Sequence, residues 1–489
     1  MKPTYEELEA RLRDSEARLR DNEARLRRTE SLLKVALEET AKLRETEFLL
    51  KVALEEIAKL KEQLGRNSKN SSKPPSSDPK GNTPDAKPKP SKSPRAGKAR
   101  LPFANHEIDR YVQCDQKNCP HCGSAKIRLN GRAPEILQQA DLPEIKAILT
   151  EFQLQKYSCA DCGKNSTARL PEGIPYSAFG PKLMGLLATL TGVLHVSKRE
   201  AIQLIKDLYG VDMGVGSVPN VEERVATALD SVYDRIHKFI MEHKFCTHFD
   251  ETGWRDQGKR HFVWLATCEQ AAVYRIDRSR SSTAFKKLIG REAWEAPAVT
   301  DRYAVYNSCK EHQFCLAHLI REFRGYAERE GPDQTIGLAI ERELRLSCRI
   351  HREYREGKIL LGQRNRRIGA RKRRVEYWLE DGLANGSDAL AKICESLLDH
   401  FEKLWTFSRI SGMEPTNNMA ERDLRKLVIW RKKSYGTRSD RGKKFVERIT
   451  TVAQTLRRQG RNVLHFLQEA IGCFYRQLLP PLISETMGF

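Results

Sequence analysis

Residues 244–254 read KFCTHFDETGW, and with them the chain changes from helical patterns to strands. KFCTHFD is followed, after a polar loop, by HFVWLATC at 261–268 and AAVYRIDRS at 271–279. A helical stretch, TAFKKLIG at 283–290, leads into the apolar strand APAVTD at 296–301, and a further short strand is expected at HQFCLAH, 312–318. Aromatic and β-branched runs bounded by polar turns are the usual mark of strands.

Three strands in a meander, followed by helices alternating with two more strands, is the order of the ribonuclease H fold. In that order the first and fourth strands are neighbours. Asp250 is expected at the end of the first and Asp301 at the end of the fourth, so two carboxylates far apart in sequence meet at one sheet edge. Two-metal phosphoryl transfer needs oxygen ligands for two divalent cations about 4 Å apart, and normally a third carboxylate on a nearby helix.

The stretch EPTNNMAERDLR, 414–425, supplies one in Glu421. With Asn418 as the cap, Glu421 stands at the third helical position, close to a capping box in which the glutamate binds the cap's own amide. Helical spacing also puts it on the border of a stripe of Ala420, Leu424, Leu427 and Val428, where a carboxylate can lean over a sheet edge. Arg422, Arg425, Arg431, Lys432 and Lys433 surround it with charge suited to DNA phosphates.

The first 65 residues have only Pro3 and Gly65 as breakers, and Leu12, Leu19, Leu26 and Leu33 recur every seventh position. That is a coiled-coil seam, weakened by Ser15, Asn22 and Thr29 at the alternate core position, and it predicts self-association. TESLLKVALEETAKL from Thr29 returns as TEFLLKVALEEIAKL from Thr46, an offset of 17 residues, which shifts the apolar stripe around the helix. Residues 66–101 are rich in Ser, Pro, Lys and Gly and predict a flexible basic linker.

In 102–178, CPHCG and YSCADCG place Cys119, Cys122, Cys159 and Cys162 in two Cys-x-x-Cys knuckles, the spacing of a structural zinc site. Cys114 is a possible substitute ligand, and EIKAILTEFQLQKYSC is expected to form a strand between the knuckles. Residues 179–240 read as helical, with a possible helix-turn-helix whose second helix begins near Ser217.

The chain has 489 residues, with 86 Lys plus Arg against 65 Asp plus Glu, a formal charge of +21. This favours a polyanionic partner, with nucleic acid leading. The N-terminus has no apolar core for secretion and no run long enough to span a bilayer is present, so a cytoplasmic location is expected. In a reducing compartment, close cysteine pairs are more often metal ligands than disulfides.

Taken together, the coiled coil, the NSSKPPSSD linker, the paired CxxC knuckles, FDETGW, TDRYAVY, CLAHLIREF and PTNNMAERDLR resemble the transposases of the insertion sequence 66 family, over nearly the whole chain. The resemblance implies a ribonuclease H-like catalytic domain of D,D,E type, with Asp250, Asp301 and Glu421 as the acids. One departure is Arg302, where the family commonly has glycine. The long interval between Asp301 and Glu421 predicts a helical insertion, 322–408, within a core divided into 241–321 and 409–489. The insertion carries the basic run GQRNRRIGARKRR, with Arg364, Arg366, Arg367, Arg371, Lys372 and Arg373 as DNA contacts. Cys315 and His318 read as packing or supporting groups.

The architecture expected is thus multidomain α+β: coiled coil, zinc-ribbon-like module, helical region, and an α/β core with a helical insertion. The expected activity is DNA transposition with two Mg²⁺ ions, in which water cuts the element end and the freed 3′ hydroxyl attacks target DNA. Expected partners are double-stranded DNA, further copies of the chain, and accessory proteins of the same element, in the bacterial nucleoid. The competing expectation is a non-catalytic zinc-containing DNA-binding regulator or an inactive relic.

Overall fold

The computed structural model describes residues 5–65 and 102–483; the expected linker lies outside the described residues. The chain divides into two compact units. One includes the N-terminal helix with His318–Ile350 and Gly369–Asp399, and the other includes the two Cys-x-x-Cys loops and the sheet, Gly81–Ala317, with His351–Ile368 and His400–Phe489.

In the first unit a single helix runs Tyr5–Gly65. Arg13, Arg18, Arg20 and Arg25 each pair with an acid four positions earlier, the favourable orientation for a helical ion pair. Leu19, Leu26 and Leu33 are 62%, 61% and 62% exposed, so this row of leucines faces solvent in the single chain. Elsewhere in that unit, Asp333 accepts from both the Ser387 amide and hydroxyl at 2.8 and 2.6 Å, while Cys394 packs where a side chain on Gly382 would stand.

Among its described residues, the second unit holds seven strands. A small hairpin pairs β1 (Lys156–Ser158) with β2 (Asn165–Thr167). The main sheet comprises β3 (Thr247–Asp256), β4 (Lys259–Thr267), β5 (Ala272–Asp277), β6 (Ala298–Thr300) and β7 (His312–Phe314), in the order β5-β4-β3-β6-β7. β3, β4 and β5 form the antiparallel meander, and β6 and β7 add on parallel to β3. All five strands of this sheet fall on the stretches their sequence patterns mark, although β3 runs on past KFCTHFD to Asp256.

One face of the sheet is filled by aromatic rings. Phe249 meets Phe285 and Trp294 edge-on at 5.1 Å between centroids, and Tyr306 meets Phe285 at 5.1 Å. The free edge of β5 is covered by the Asp440–Arg458 helix. The N–H groups of Ile276, Tyr274 and Ala272 donate to side chains of Glu447, Thr451 and Thr455 at 2.6, 3.0 and 3.2 Å. Four helical residues rise about 6 Å and two strand residues about 6.6 Å, so the periods match and each outward N–H meets a side chain. This arrangement satisfies the edge without a sixth strand.

The Asn418–Ser434 helix is pinned to β3 at both ends. Beyond its C-terminus, Thr437 N–H donates to the Arg255 carbonyl at 2.9 Å, and the Thr437 hydroxyl lies 3.1 Å from Trp254 Nε1 and 2.7 Å from Asp256. The turn between requires Gly436, at φ 94°, because a Cβ there would stand 2.0 Å from the Arg255 oxygen.

Two local expectations are corrected. The strand expected over 144–159 is reduced to Lys156–Ser158; the residues before it have no partner strand, and Leu142, Ile148 and Leu149 are exposed. The cap of the Glu421 helix is Asn417 rather than Asn418, and its side chain makes no cap hydrogen bond. The cap amide that a capping box would have given to Glu421 donates instead to Cys315 Sγ at 3.1 Å.

Candidate active site

Strand register brings the first two acids level with each other. His248 pairs with Val299 across the parallel β3–β6 ladder, and Asp250 and Asp301 each follow two positions later, beyond the last paired residue. Asp250 is interior to β3 rather than at its end, because the antiparallel pairing with β4 continues past it, with Asp250 opposite Leu265.

Asp250 is half-buried, and its carboxyl is held well above the usual carboxylate range, first by loss of water and then by the charges of Glu251, Asp301 and Glu421. Asp250 Oδ1 accepts from the Glu251 amide at 2.8 Å, and Asp301 Oδ1 from the Tyr303 amide at 3.0 Å. Glu421, half-buried in the first turn of its helix, donates its amide to the Asn417 carbonyl at 3.2 Å.

Sequence reasoning misses the fourth acid of this group. Glu251 binds Arg280, Nε at 2.7 Å and Nη2 at 2.5 Å, and accepts the Tyr306 hydroxyl. Arg280 also stacks over the Tyr303 ring at 4.2 Å. Glu251 is therefore neutralised by a guanidinium, a pairing that no local motif announces because Arg280 arrives from the loop after β5. Asp250, Asp301 and Glu421 could each offer a carboxylate oxygen, the ligand type that suits hard divalent cations such as Mg²⁺.

Asn417 lies at the centre of the strand–helix junction. Its Nδ2 donates to the Phe249 carbonyl at 2.8 Å, and its Oδ1 lies 3.0 Å from His248 Nδ1. Cys315 Sγ and a Glu421 carboxylate oxygen lie within 4.8 Å of each other. Sequence alone, which reads Cys315 and His318 as packing groups, does not announce this proximity.

The basic residues divide by exposure. Arg366, Arg373, Arg422, Arg425, Lys432 and Lys433 are exposed. Arg364 is corrected as a surface contact: it is buried, donates to the Phe407 carbonyl at 2.7 Å and lies over Tyr354. Arg367 pairs with Glu353 at 2.9 Å, Arg371 with Glu343 at 2.9 Å, and Arg431 reaches the Gly253 carbonyl. Lys372 and Arg302 are half-buried. The helices Lys198–Tyr209 and Ser217–Ala228 occur as expected, but Val218, Val221 and Val225 of the second lie in the core.

The two cysteine knuckles share one backbone geometry. Cys119 N–H donates to the Ser124 carbonyl at 2.9 Å and Gly123 N–H to the Cys119 carbonyl at 2.8 Å; Cys159, Lys164 and Gly163 repeat the pattern at 2.9 and 2.9 Å. Gly123 and Gly163 take φ of 71° and 66°, the left-handed turn that closes each loop. Cys119 and Cys159 thiols are lowered, first by backbone amides of His121 and Cys162 respectively. Among the described residues, the four sulfurs do not form a group within 4.8 Å.

No described helix is long and apolar enough to cross a membrane. Residues 1–107 match a family of unknown function. The chain is 22% identical over 374 residues to an uncharacterized protein, y4jD, of Sinorhizobium fredii (strain NBRC 101917 / NGR234), covering 68% of this chain and 70% of that one. It is 23% identical over 233 residues to an uncharacterized 48.3 kDa protein of insertion element ISM1 from Methanobrevibacter smithii, covering 44% and 55%. The family described as "Transposase IS66 family" matches residues 177–445, a span that includes the strand carrying Asp250, the loop of Asp301 and the helix of Glu421. With more than half of its length in that match, the chain belongs to the IS66 family of transposases.

Proposed function

We propose that this protein is a DNA transposase whose second unit contains a ribonuclease H-like catalytic core, with Asp250, Asp301 and Glu421 as its D,D,E acids. The observation that carries the reading is that strand register and the start of the Asn418–Ser434 helix bring these half-buried carboxylates to one sheet edge, where the charges of Asp301 and Glu421 both raise the Asp250 carboxyl. Clustering like charges out of water is costly unless a cation or proton joins them. Family membership supports DNA as the substrate.

Two Mg²⁺ ions held by these acids would supply charge for the attacking and departing oxygens of a phosphodiester. The chain's own residues do the rest. β3 and β6 hold Asp250 and Asp301 level, while the helix that starts against β3 at Asn417 presents Glu421. Arg280 neutralises Glu251, keeping that acid from competing for the cations. Exposed Arg422, Arg425, Lys432 and Lys433 bind the phosphate backbone and align the DNA along the Glu421 helix. Exposed Arg366 and Arg373 add phosphate contacts from the insertion. The knuckles of Cys119, Cys122, Cys159 and Cys162 take up a structural zinc ion, and the leucine row of the N-terminal helix joins copies of the chain.

Purified full-length protein incubated with element-end DNA and Mg²⁺ tests this. Wild type is expected to cut one strand at the end, and Asp250→Ala to leave it intact. Equal cleavage by both would remove Asp250 from the chemistry, and binding without cleavage by wild type would favour a DNA-binding regulator.

A further inference from the structure

Asn417 joins elements that carry all three acids. Through its side chain it binds His248 and Phe249, the two residues directly before Asp250. Through its carbonyl it accepts the amide of Glu421. Through its own amide it binds Cys315 Sγ, and Cys315 N–H donates to the carbonyl of Thr300 at 2.8 Å, next to Asp301.

We propose that Asn417 is a positioning residue that fixes the start of the Glu421 helix against β3 and Cys315, and so sets where Glu421 stands relative to Asp250 and Asp301. The inference rests on the reading of those three acids as one metal-holding centre.

The chemistry of the site demands an amide. The Phe249 carbonyl can only accept, so the group facing it must be Nδ2, which leaves Oδ1 toward His248. His248 must then carry its proton on Nδ1. Aspartate would place a carboxylate against the carbonyl, serine would be too short, and alanine would leave Phe249 and His248 without this partner. An ordinary helix-capping asparagine turns its oxygen to the N–H groups of its own helix. Asn417 makes no such bond; both ends of its amide are spent on β3. Asn417, His248 and Phe249 are all buried, so water cannot replace the lost partner freely.

The test is binding of Mn²⁺ to full-length protein, with free ion measured by electron paramagnetic resonance. Wild type, Asn417→Ala, Asn417→Asp, Thr437→Ala and Glu421→Gln are compared, alongside circular dichroism. Asn417→Ala is expected to weaken Mn²⁺ binding about 10- to 100-fold, the usual size for a group that orients a ligand. Thr437→Ala, which loosens the other end of the same helix, is expected to lower the melting temperature while leaving Mn²⁺ affinity unchanged. That contrast separates positioning from mere stability.

Wild-type affinity in Asn417→Ala, with loss in Glu421→Gln, would overturn the role of Asn417 while leaving the centre intact. Unchanged affinity in Glu421→Gln would remove the centre itself, and the inference with it. Should both Asn417 variants fail to fold, ¹⁵N shifts of His248 in the wild type decide: a proton on Nδ1 supports the brace, and one on Nε2 overturns it.

Discussion

Asn417 and Phe249 stand 168 positions apart and are joined by a 2.8 Å hydrogen bond from side-chain amide to strand carbonyl. At the opposite end of the same helix, Thr437 bonds to Arg255. Together these contacts hold one helix along one strand, and Gly436 makes the second possible. Gly436→Ala is expected to cost more than about 2 kcal/mol, since it combines a left-handed backbone with a clash against the Arg255 carbonyl. Thermal unfolding measures this; an unchanged melting temperature would show that the turn can open at no cost.

Asp250 is expected to destabilise the metal-free protein. Its folded pKa is raised, so the cost of keeping it ionised is present above that value and is relieved as pH falls through it toward the ordinary carboxylate range. In chelator at neutral pH, Asp250→Asn should therefore raise stability and abolish the further gain that Mg²⁺ gives wild type. A variant less stable than wild type in chelator would contradict the crowding of charge at this edge.

Arginines in the same basic run should behave in opposite ways. Arg366 and Arg373 are exposed. Replacing both with alanine should leave the fold intact and reduce the slope of log affinity against log salt by roughly 2, about 0.9 for each phosphate no longer neutralised. Arg364→Ala instead removes a buried hydrogen bond to Phe407 and should cost about 2 kcal/mol of stability. Fluorescence anisotropy across a salt series, with melting curves, distinguishes the two.

Elemental analysis of purified protein should find about one zinc per chain, the content of a four-thiolate site. Cys119→Ser and Cys159→Ser should each abolish it, because each breaks one of the two knuckles. Zinc retained in both variants would assign the metal elsewhere.

The main sheet can be read from local sequence because its strands are apolar, short and bounded by polar turns: HFVWLATC and APAVTD have no competing helical period. Asp250 and Asp301 are legible for the same reason, since each lies within or directly after such a run. Features made by long-range approach are not legible. Glu251 gains Arg280 and Tyr306 from different connections, and the β5 edge is covered by Glu447, Thr451 and Thr455, whose spacing reads as ordinary helix surface. In EPTNNMAERDLR, local capping rules point to Asn418 and to Glu421 bound to its own cap. The structure starts the helix one residue earlier, because the burial of Asn417 against β3 outweighs a cap bond that solvent could replace.

Anomalous scattering from a crystal of the full-length protein grown with Mn²⁺ tests the central claim most directly. The account predicts two peaks about 4 Å apart, ligated by carboxylate oxygens of Asp250, Asp301 and Glu421. Peaks elsewhere, or a Glu421 carboxylate turned away from the ions, would contradict it.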